Sequence, residues 1–411
     1  MTDDEIKIEQ IKTKDLLEFT HRVLAPAVEG QFIPITLQRA EAHAHNPFAD
    51  PDDVALLVAT QGDQVVGFFG IMPICLKLDQ QYHKVHWFST WRVTPNLRGK
   101  SLGSRLMKEA LALQEDFMIV GAGPARKVCR KFGFWEHAPL VYYQLDLTGM
   151  GKLNPAVWLM RLLRRLLRLF KVHLGIENRF TRATARFLSP LTRRLFTCLV
   201  NRSLQQFKTS LQAQEVESVR PETPAQLVNL APVQFWRGAE VVNWMLHYPW
   251  VLEPGQSPTE RMDFYFSDVR RLFKNVALEL DSAGEYRGYV VFQVTSAEER
   301  QILPTKQQRL PTKRQIQERT EVKTLDVSLA ASTDQRFILP LALGYARQFN
   351  ASLVTLPEAA VEDFRKTSLG KLLLLRRERI YQCMPRSQDS PLAQAWERIT
   401  FTFGDGDMPF S

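Results

Sequence analysis

Cysteine is scarce in this chain. There are 4 in 411 residues, Cys75, Cys129, Cys198 and Cys383, and no pair is spaced CxxC. That excludes a zinc ribbon, an iron–sulfur site and a secreted disulfide scaffold. An uninterrupted apolar run of about 18 residues is also missing, so no membrane-crossing helix is expected. The opening Met-Thr-Asp-Asp-Glu is acidic and has no apolar core, so no signal peptide is expected either. These absences describe a cytoplasmic protein with reduced thiols. Apolar residues make up 45% of the chain, enough to build real cores and too many for wholesale disorder. Its length corresponds to about two domains of roughly 100–200 residues each.

Acids are missing from one stretch in particular. The net charge is +9, but residues 151–203 hold twelve Lys/Arg against a single acid, Glu177. The remainder is near neutral, unlike a generally basic nucleic-acid binder. Within this stretch Arg161, Arg164, Arg165, Arg168 and Lys171 recur at helical spacing. Leucines fill the other side, Asn154-Pro155 fits a helix start, and Gly175 fits a stop. A second basic helix is expected near Thr181–Ser203. With Trp158 near its start, the first helix fits an anionic membrane surface. It fits equally a helix that covers a neighbouring unit and leaves its arginines in water. RNA contact is disfavoured because few aromatics interleave with the arginines.

The flanking regions alternate helix and strand. A helix is expected over Asp15–Leu24. Strands are expected over Val54–Thr60, Val65–Met72 and Val85–Val93. A helix over about 100–114, a strand over 117–122, a helix over 124–131 and a last strand over 140–147 follow. Beyond about residue 215, strands are expected over Asn275–Leu280, Tyr286–Val294 and Val322–Ala331, with a Gln/Lys/Pro-rich loop at Glu298–Thr320. A helix over Asp334–Gln348, a strand over Ser352–Leu356, a helix over Glu358–Lys366 and a strand over Leu372–Cys383 complete the pattern. The halves echo each other: strand, Gly-acid turn, then a strand with an early glycine, Gly67 in one and Gly288 in the other. The expectation is an α/β protein with mixed sheets, built as two similar units in tandem. Their bounds are 1–150 and 215–411, joined by the basic helical segment 151–214.

The sharpest motif runs from Trp91-Arg92-Val93 through Pro95 to Arg98-Gly99-Lys100-Ser101-Leu102-Gly103-Ser104. A strand ends, and a short glycine-containing loop opens a helix. Such a loop aims backbone N–H groups at one point, at the positive end of the helix. Arg98 and Lys100 add charge, and small residues admit an anion to the backbone. The residues fit a pyrophosphate cradle, or else an ordinary turn that needs a glycine.

This run resembles the acyl-CoA loop of the GNAT superfamily of N-acetyltransferases, whose pattern is Arg/Gln-x-x-Gly-x-Gly/Ala. Arg98 and Gly103 match the first and last positions, and Ser101 replaces the middle glycine. Cys129-Arg-Lys-Phe-Gly133-Phe134 resembles the family's Tyr-x-x-x-Gly-Phe, and the element order from 54 to 147 agrees. The resemblance covers about residues 5–147. The second unit resembles the fold in element order alone, and its loop position, Ala331–Ile338, has no glycine, so no coenzyme is expected there. Paired units with one active half occur in N-myristoyltransferases and in the Fem peptidoglycan aminoacyltransferases.

The resemblance implies transfer of an acyl group from acetyl-CoA or another acyl-CoA to an amine or hydroxyl. Positioning does most of the work, and a backbone N–H of strand 85–93 polarises the thioester. The family's acid, a tyrosine, falls at Cys129, which is either a thiol acid or a packed core residue. No glutamate lies in strand 85–93. His86 and Ser89 are candidate polar groups there, sharing a face if a bulge intervenes. His43-x-His45 has no third ligand, so no metal site is expected. Trp244, His247 and Tyr248 form an acceptor wall or a core cluster. The tail after Thr402 either docks between the units, offering Asp405 or Asp407 to the acceptor amine, or lies on the surface. The alternatives to an acyltransferase are a tRNA-dependent aminoacyltransferase of Fem type and a non-catalytic coenzyme-binding scaffold or sensor.

Overall fold

The computed structural model describes residues 6–99, 101–120, 123–147, 211–222, 231–264, 266, 269–298, 318–330 and 335–406. The expected basic helices of 153–203 lie outside them, as do Lys100 and Asp407. Among the described residues the strands form two mixed sheets. The first contains β1 (Lys7–Lys12), β2 (Val54–Gln61), β3 (Gln64–Leu78), β4 (Gln81–Val93), β5 (Phe117–Ile119) and β6 (Trp135–Glu136). Their order is β1-β2-β3-β4-β5-β15-β6, where β15 is Gln382–Met384, and β9 (Val233–Phe235) also pairs with β3. The second contains β7 (Leu140–Asp146), β8 (Gln212–Val216), β10 (Phe273–Ser282), β11 (Glu285–Glu298), β12 (Glu318–Leu329), β13 (Leu353–Pro357) and β14 (Leu374–Arg379). It runs β14-β7-β13-β12-β11-β10-β8.

The sheets exchange their last strands. β7, expected to close the first sheet, lies in the second between β13 and β14. β15 lies in the first between β5 and β6. The strand expected over Leu372–Cys383 is therefore broken. A short helix, Ser368–Leu373, precedes β14, and Ile380-Tyr381 carries the chain from one sheet to the other. Tyr381 is fully buried and stacks on Phe401 at 3.9 Å, which fixes the crossing.

The echo between the halves is structural. β2–β3 and β10–β11 are tight hairpins, each with a register shift just before its glycine, Gly67 or Gly288. Ala283 and Gly284 both have positive φ, as a two-residue hairpin turn requires. β3–β4 and β11–β12 each carry a second shift, at Ser89 and at Leu325. Both bulged strands then continue four residues to Val93 and Leu329.

β3 is longer than expected and passes through Pro73, although proline donates no hydrogen bond. The Pro73/His86 pair needs none, because the His86 N–H turns the other way, to the Asp116 carbonyl at 2.8 Å. Most of β3 is buried, because both faces of the sheet are covered, and so it reads as a continuous apolar run. Helix α3 (Leu102–Leu111) packs one face through Leu106 and Met107, with Phe69, Phe88 and Phe117. The other face meets α1 (Leu16–Leu24) at one end and the second sheet at the other. That seam joins Met72, Trp87 and Met118 to Tyr289, Val291 and Leu325 in one core. Helices Ile338–Gln348 and Glu358–Lys366 cover the far side of the second sheet.

Candidate active site

β4 pairs with β5 only at His86↔Phe117 and Trp87↔Met118. Beyond Trp87 the two parallel strands part, and β4 continues to Val93 paired with β3 alone. The wedge begins at the bulge. Phe88 pairs with Ile71 and Thr90 with Gly70, leaving Ser89 without a partner in β3. The Ser89 and Thr90 hydroxyls fill the space where a side chain at position 70 would stand, the Ser89 oxygen 2.7 Å from an ideal Cβ. Both residues are buried. A bulge of this kind leaves its extra residue out of the ladder and bends the strand. The ladder is thus locally disrupted beside the gap between β4 and β5.

The expected bulge thus exists, but it does not bring His86 and Ser89 together. His86 shares its face with Phe88, packs near the Phe117 ring at 6.0 Å and lies before the wedge. Its ring nitrogens are 3.9 Å from carboxylate oxygens of Asp53 and Glu115. Ser89 lies over Gly70, on the opposite face.

After Val93 the chain makes a single 3-10 turn, Pro95–Leu97, and enters the loop. Gly99 has φ +81° and Ser101 has φ +63°, both left-handed. Ser101, which stands where the motif has its middle glycine, thus holds a left-handed backbone at a cost to its side chain. Its carbonyl accepts from Arg105 N at 2.9 Å, opening α3 without a side-chain cap. No acid lies in the first turn of α3. The N–H groups of Leu102, Gly103 and Ser104 therefore begin the helix uncapped, at its positive end. An ideal Cβ on Gly103 would touch the Trp91 ring at 3.4 Å, so backbone and indole lie together here. Arg98 is exposed at the loop. A Ser101→Gly variant is expected to be more stable by about 0.5–1 kcal/mol, because relief of the left-handed serine outweighs the added freedom of the unfolded chain. Urea denaturation measures this, and a lowered midpoint would mean that the serine is unstrained.

Other expected site residues have structural partners instead. Arg92 points away from the cradle. Its guanidinium meets Asp263 at 3.1 and 3.4 Å and lies 5.1 Å from the Phe32 ring, so only its backbone borders the loop. Val93 pairs with Gly67. Cys129 is fully buried in the core under α3, and burial pushes its thiol up to about 11. Of the two expectations for this residue, its surroundings match the packed core cysteine and not the thiol acid. Trp244 is a core residue of helix Ala239–His247 and donates to the Ala42 carbonyl at 2.8 Å. His247 is exposed against the Asn243 carbonyl, and Tyr248 stacks on His45. These three build no common wall. His43 stacks instead on Trp250, and burial lowers it to about 3.

The tail, in contrast, is well placed. Residues 401–406 lie in the seam between the sheets. The Gly404 N–H donates 2.8 Å to the carbonyl of Leu325, the bulge residue of the second sheet. Arg379 donates to the carbonyls of Phe403 and Asp405. Gly406 has φ +84° and lies so close to Trp87 of β4 that no side chain fits. Asp405 is 1% exposed, and both its oxygens are engaged. Oδ1 accepts from Arg237 at 3.1 Å and Oδ2 from Thr402 N at 2.6 Å. It pins the tail and has no free oxygen for an acceptor. Arg237, Asp326 and Glu222, which surround it, carry no motif; the sign visible in the sequence is a lone acid, Asp326, inside an apolar strand run.

Residues 22–134 match the acetyltransferase (GNAT) family. No curated protein matches the chain. Similar solved structures include a GCN5-related N-acetyltransferase from Anabaena variabilis ATCC 29413, with TM-score 0.43 and 10% identity over 93% of this chain and 73% of that one. N-myristoyltransferase from Saccharomyces cerevisiae with bound myristoyl-CoA has TM-score 0.43 and 11% identity over 94% and 79%. A GCN5-related N-acetyltransferase from Kribbella flavida has TM-score 0.39 and 13% identity over 93% and 71%. The sequence match runs from within α1 to Phe134 and takes in the bulged strand, the loop and α3. Residues 22–134 are therefore a domain of the acetyltransferase (GNAT) family.

Proposed function

We propose that the chain is an acyl-CoA-dependent N-acyltransferase that moves an acetyl or other acyl group to an amine, or to a hydroxyl. The observation that supports this best is one continuous stretch: a bulged strand splaying from its neighbour and running directly into an uncapped helix start. The first N–H groups of α3, with Arg98 and Lys100, take the coenzyme pyrophosphate. The thioester then lies along β4 in the wedge, where a freed N–H near Ser89 polarises its carbonyl. The acceptor nitrogen attacks that carbon and the C–S bond breaks. The coenzyme leaves as thiolate, and the acceptor's proton passes to a base or to the thiolate. The second half supplies the acceptor side of the seam.

An amino sugar or a lipid-linked precursor at the membrane is the acceptor class that suits the basic segment 153–203. Among the described residues no helix is long and apolar enough to cross a membrane. Flotation with anionic and with neutral liposomes tests the surface contact. Binding to anionic vesicles alone is expected, and equal recovery with both kinds would remove it.

Release of free coenzyme thiol from acetyl-CoA, followed over a panel of amines and alcohols, tests the activity. Turnover with at least one amine is expected. Coenzyme binding without turnover on any acceptor would favour the scaffold, and tRNA binding without coenzyme binding would favour the aminoacyl route.

A further inference from the structure

The seam holds more buried acid than it neutralises. Asp326 of β12 is 6% exposed. One of its oxygens accepts from the adjacent Val327 N at 2.9 Å, and the other, Oδ2, has no hydrogen-bond partner. Asp326 pairs across the ladder with Val291, which places it on the face that meets the first sheet. Two residues on, Ser328 shares that face opposite Tyr289, is 5% exposed, and its hydroxyl also has no partner. The Tyr289 hydroxyl is 3.2 Å from a Glu222 carboxylate oxygen. Asp405 completes the group, and its close partner is Arg237.

A buried carboxylate oxygen and a buried hydroxyl without partners are costly in an isolated fold. Burial pushes Asp326 up to about 6, and the charges of Asp405 and Glu222 push the same way against Arg237. Burial raises Glu222 and Asp405 as well. Arg237 is already committed to Asp405, and Arg379, the other cation that acts on Asp405, donates to the Phe403 and Asp405 carbonyls, so Oδ2 of Asp326 has no hydrogen-bonding cation of its own. The tail bounds the group on one side and reaches Trp87, two residues before the bulge of β4.

We propose that Asp326, with Ser328 and Glu222 beside it, is the binding site for the ammonium group of the acceptor. This rests on the acyltransferase reading above. A primary ammonium supplies three donors. The free Asp326 oxygen and the Ser328 hydroxyl accept two, and the positive charge balances the excess acid. The acceptor is thus held as a cation in the seam, on the face of β4 that carries Ser89 and Thr90, and must shed a proton before it attacks.

The test uses the full chain and two isosteric probes, glycinamide, a cation, and glycolamide, which is neutral, read by thermal shift and calorimetry. Glycinamide is expected to bind wild type and glycolamide at least tenfold more weakly. Asp326→Asn is expected to weaken glycinamide by about tenfold or more, as loss of a charged hydrogen bond does, and Ser328→Ala by less. Acetyl-CoA binding is measured on the same variants and should not change, so failure of the coenzyme reading shows separately, as no binding in wild type.

A second readout needs no ligand. Because the folded value of Asp326 lies above its unfolded value near 4, the folded chain penalises the charged form. Its contribution to stability is greatest below pH 4 and is lost as pH rises through about 6. Asp326→Asn should remove that fall from the urea midpoint between pH 4 and 6. Equal binding of both probes, or glycinamide binding unchanged in Asp326→Asn, would overturn the proposal, as would an identical pH profile in the variant.

Discussion

Gly103→Glu is expected to weaken acetyl-CoA binding at least about a hundredfold while the protein stays folded. The two effects part for a physical reason. Position 103 lies in the first turn of α3, where the helix dipole favours an acid by about 0.3–1 kcal/mol. Glutamate is also a better helix former than glycine, by roughly 0.5–1 kcal/mol. An ideal Cβ there meets the Trp91 ring at ordinary contact distance, so the core need not move. Yet the new carboxylate stands where a pyrophosphate would. It repels the phosphates and takes the N–H groups that they need, and a loss of about 2.7 kcal/mol is a hundredfold. Calorimetry with acetyl-CoA, beside a thermal melt, reads both effects. A melt that holds or rises with binding gone is the expected pair. Binding that persists in the variant would move the coenzyme away from this loop.

Asp405→Ala is expected to destabilise the protein by about 3–5 kcal/mol and to abolish transfer. The change leaves Arg237 buried without its carboxylate, and breaking a buried pair from one side costs that much. It also removes the acceptor for Thr402 N, so the turn that carries Gly404 and Gly406 into the seam loosens. With that turn go the Gly404–Leu325 hydrogen bond and the contact on Trp87. Urea denaturation gives the stability change. A loss below about 1 kcal/mol would show that the tail docks without its ion pair. Burial raises Asp405 despite Arg237, so the ionised pair is already held against a desolvation penalty. Replacing both partners with apolar residues should therefore be far milder than removing one.

Local signals in the sequence carried the first half well. The Gly67 and Gly288 echo, the strand ending at Val93 and the loop Arg98–Gly103 depend on glycine placement and apolar spacing within about a dozen residues. Those constraints are visible without the fold. The strand exchange is not. Leu140–Leu147 reads as a strand whichever sheet receives it, because its pattern fixes two faces and not its partners. Arg92 illustrates the same limit from the other side. Beside a phosphate-type loop it looks like a ligand, and only Asp263, 171 residues later, turns it away. Cys129 and Trp244 look like site residues because of their reactive or aromatic type, although packing explains both. Asp326 is not legible from sequence because a single acid in a strand looks like a solvated face. Its significance comes from the second sheet's pairing with the tail and from the residues that press on it across the seam.

Titration of the full chain with acetyl-CoA, read by calorimetry, bears most directly on the central claim. The uncapped α3 start is the cradle proposed for the coenzyme, whereas in the second sheet the tail hydrogen-bonds the bulge at Leu325. The account predicts one coenzyme bound per chain. No binding, or two equivalent sites per chain, would contradict it.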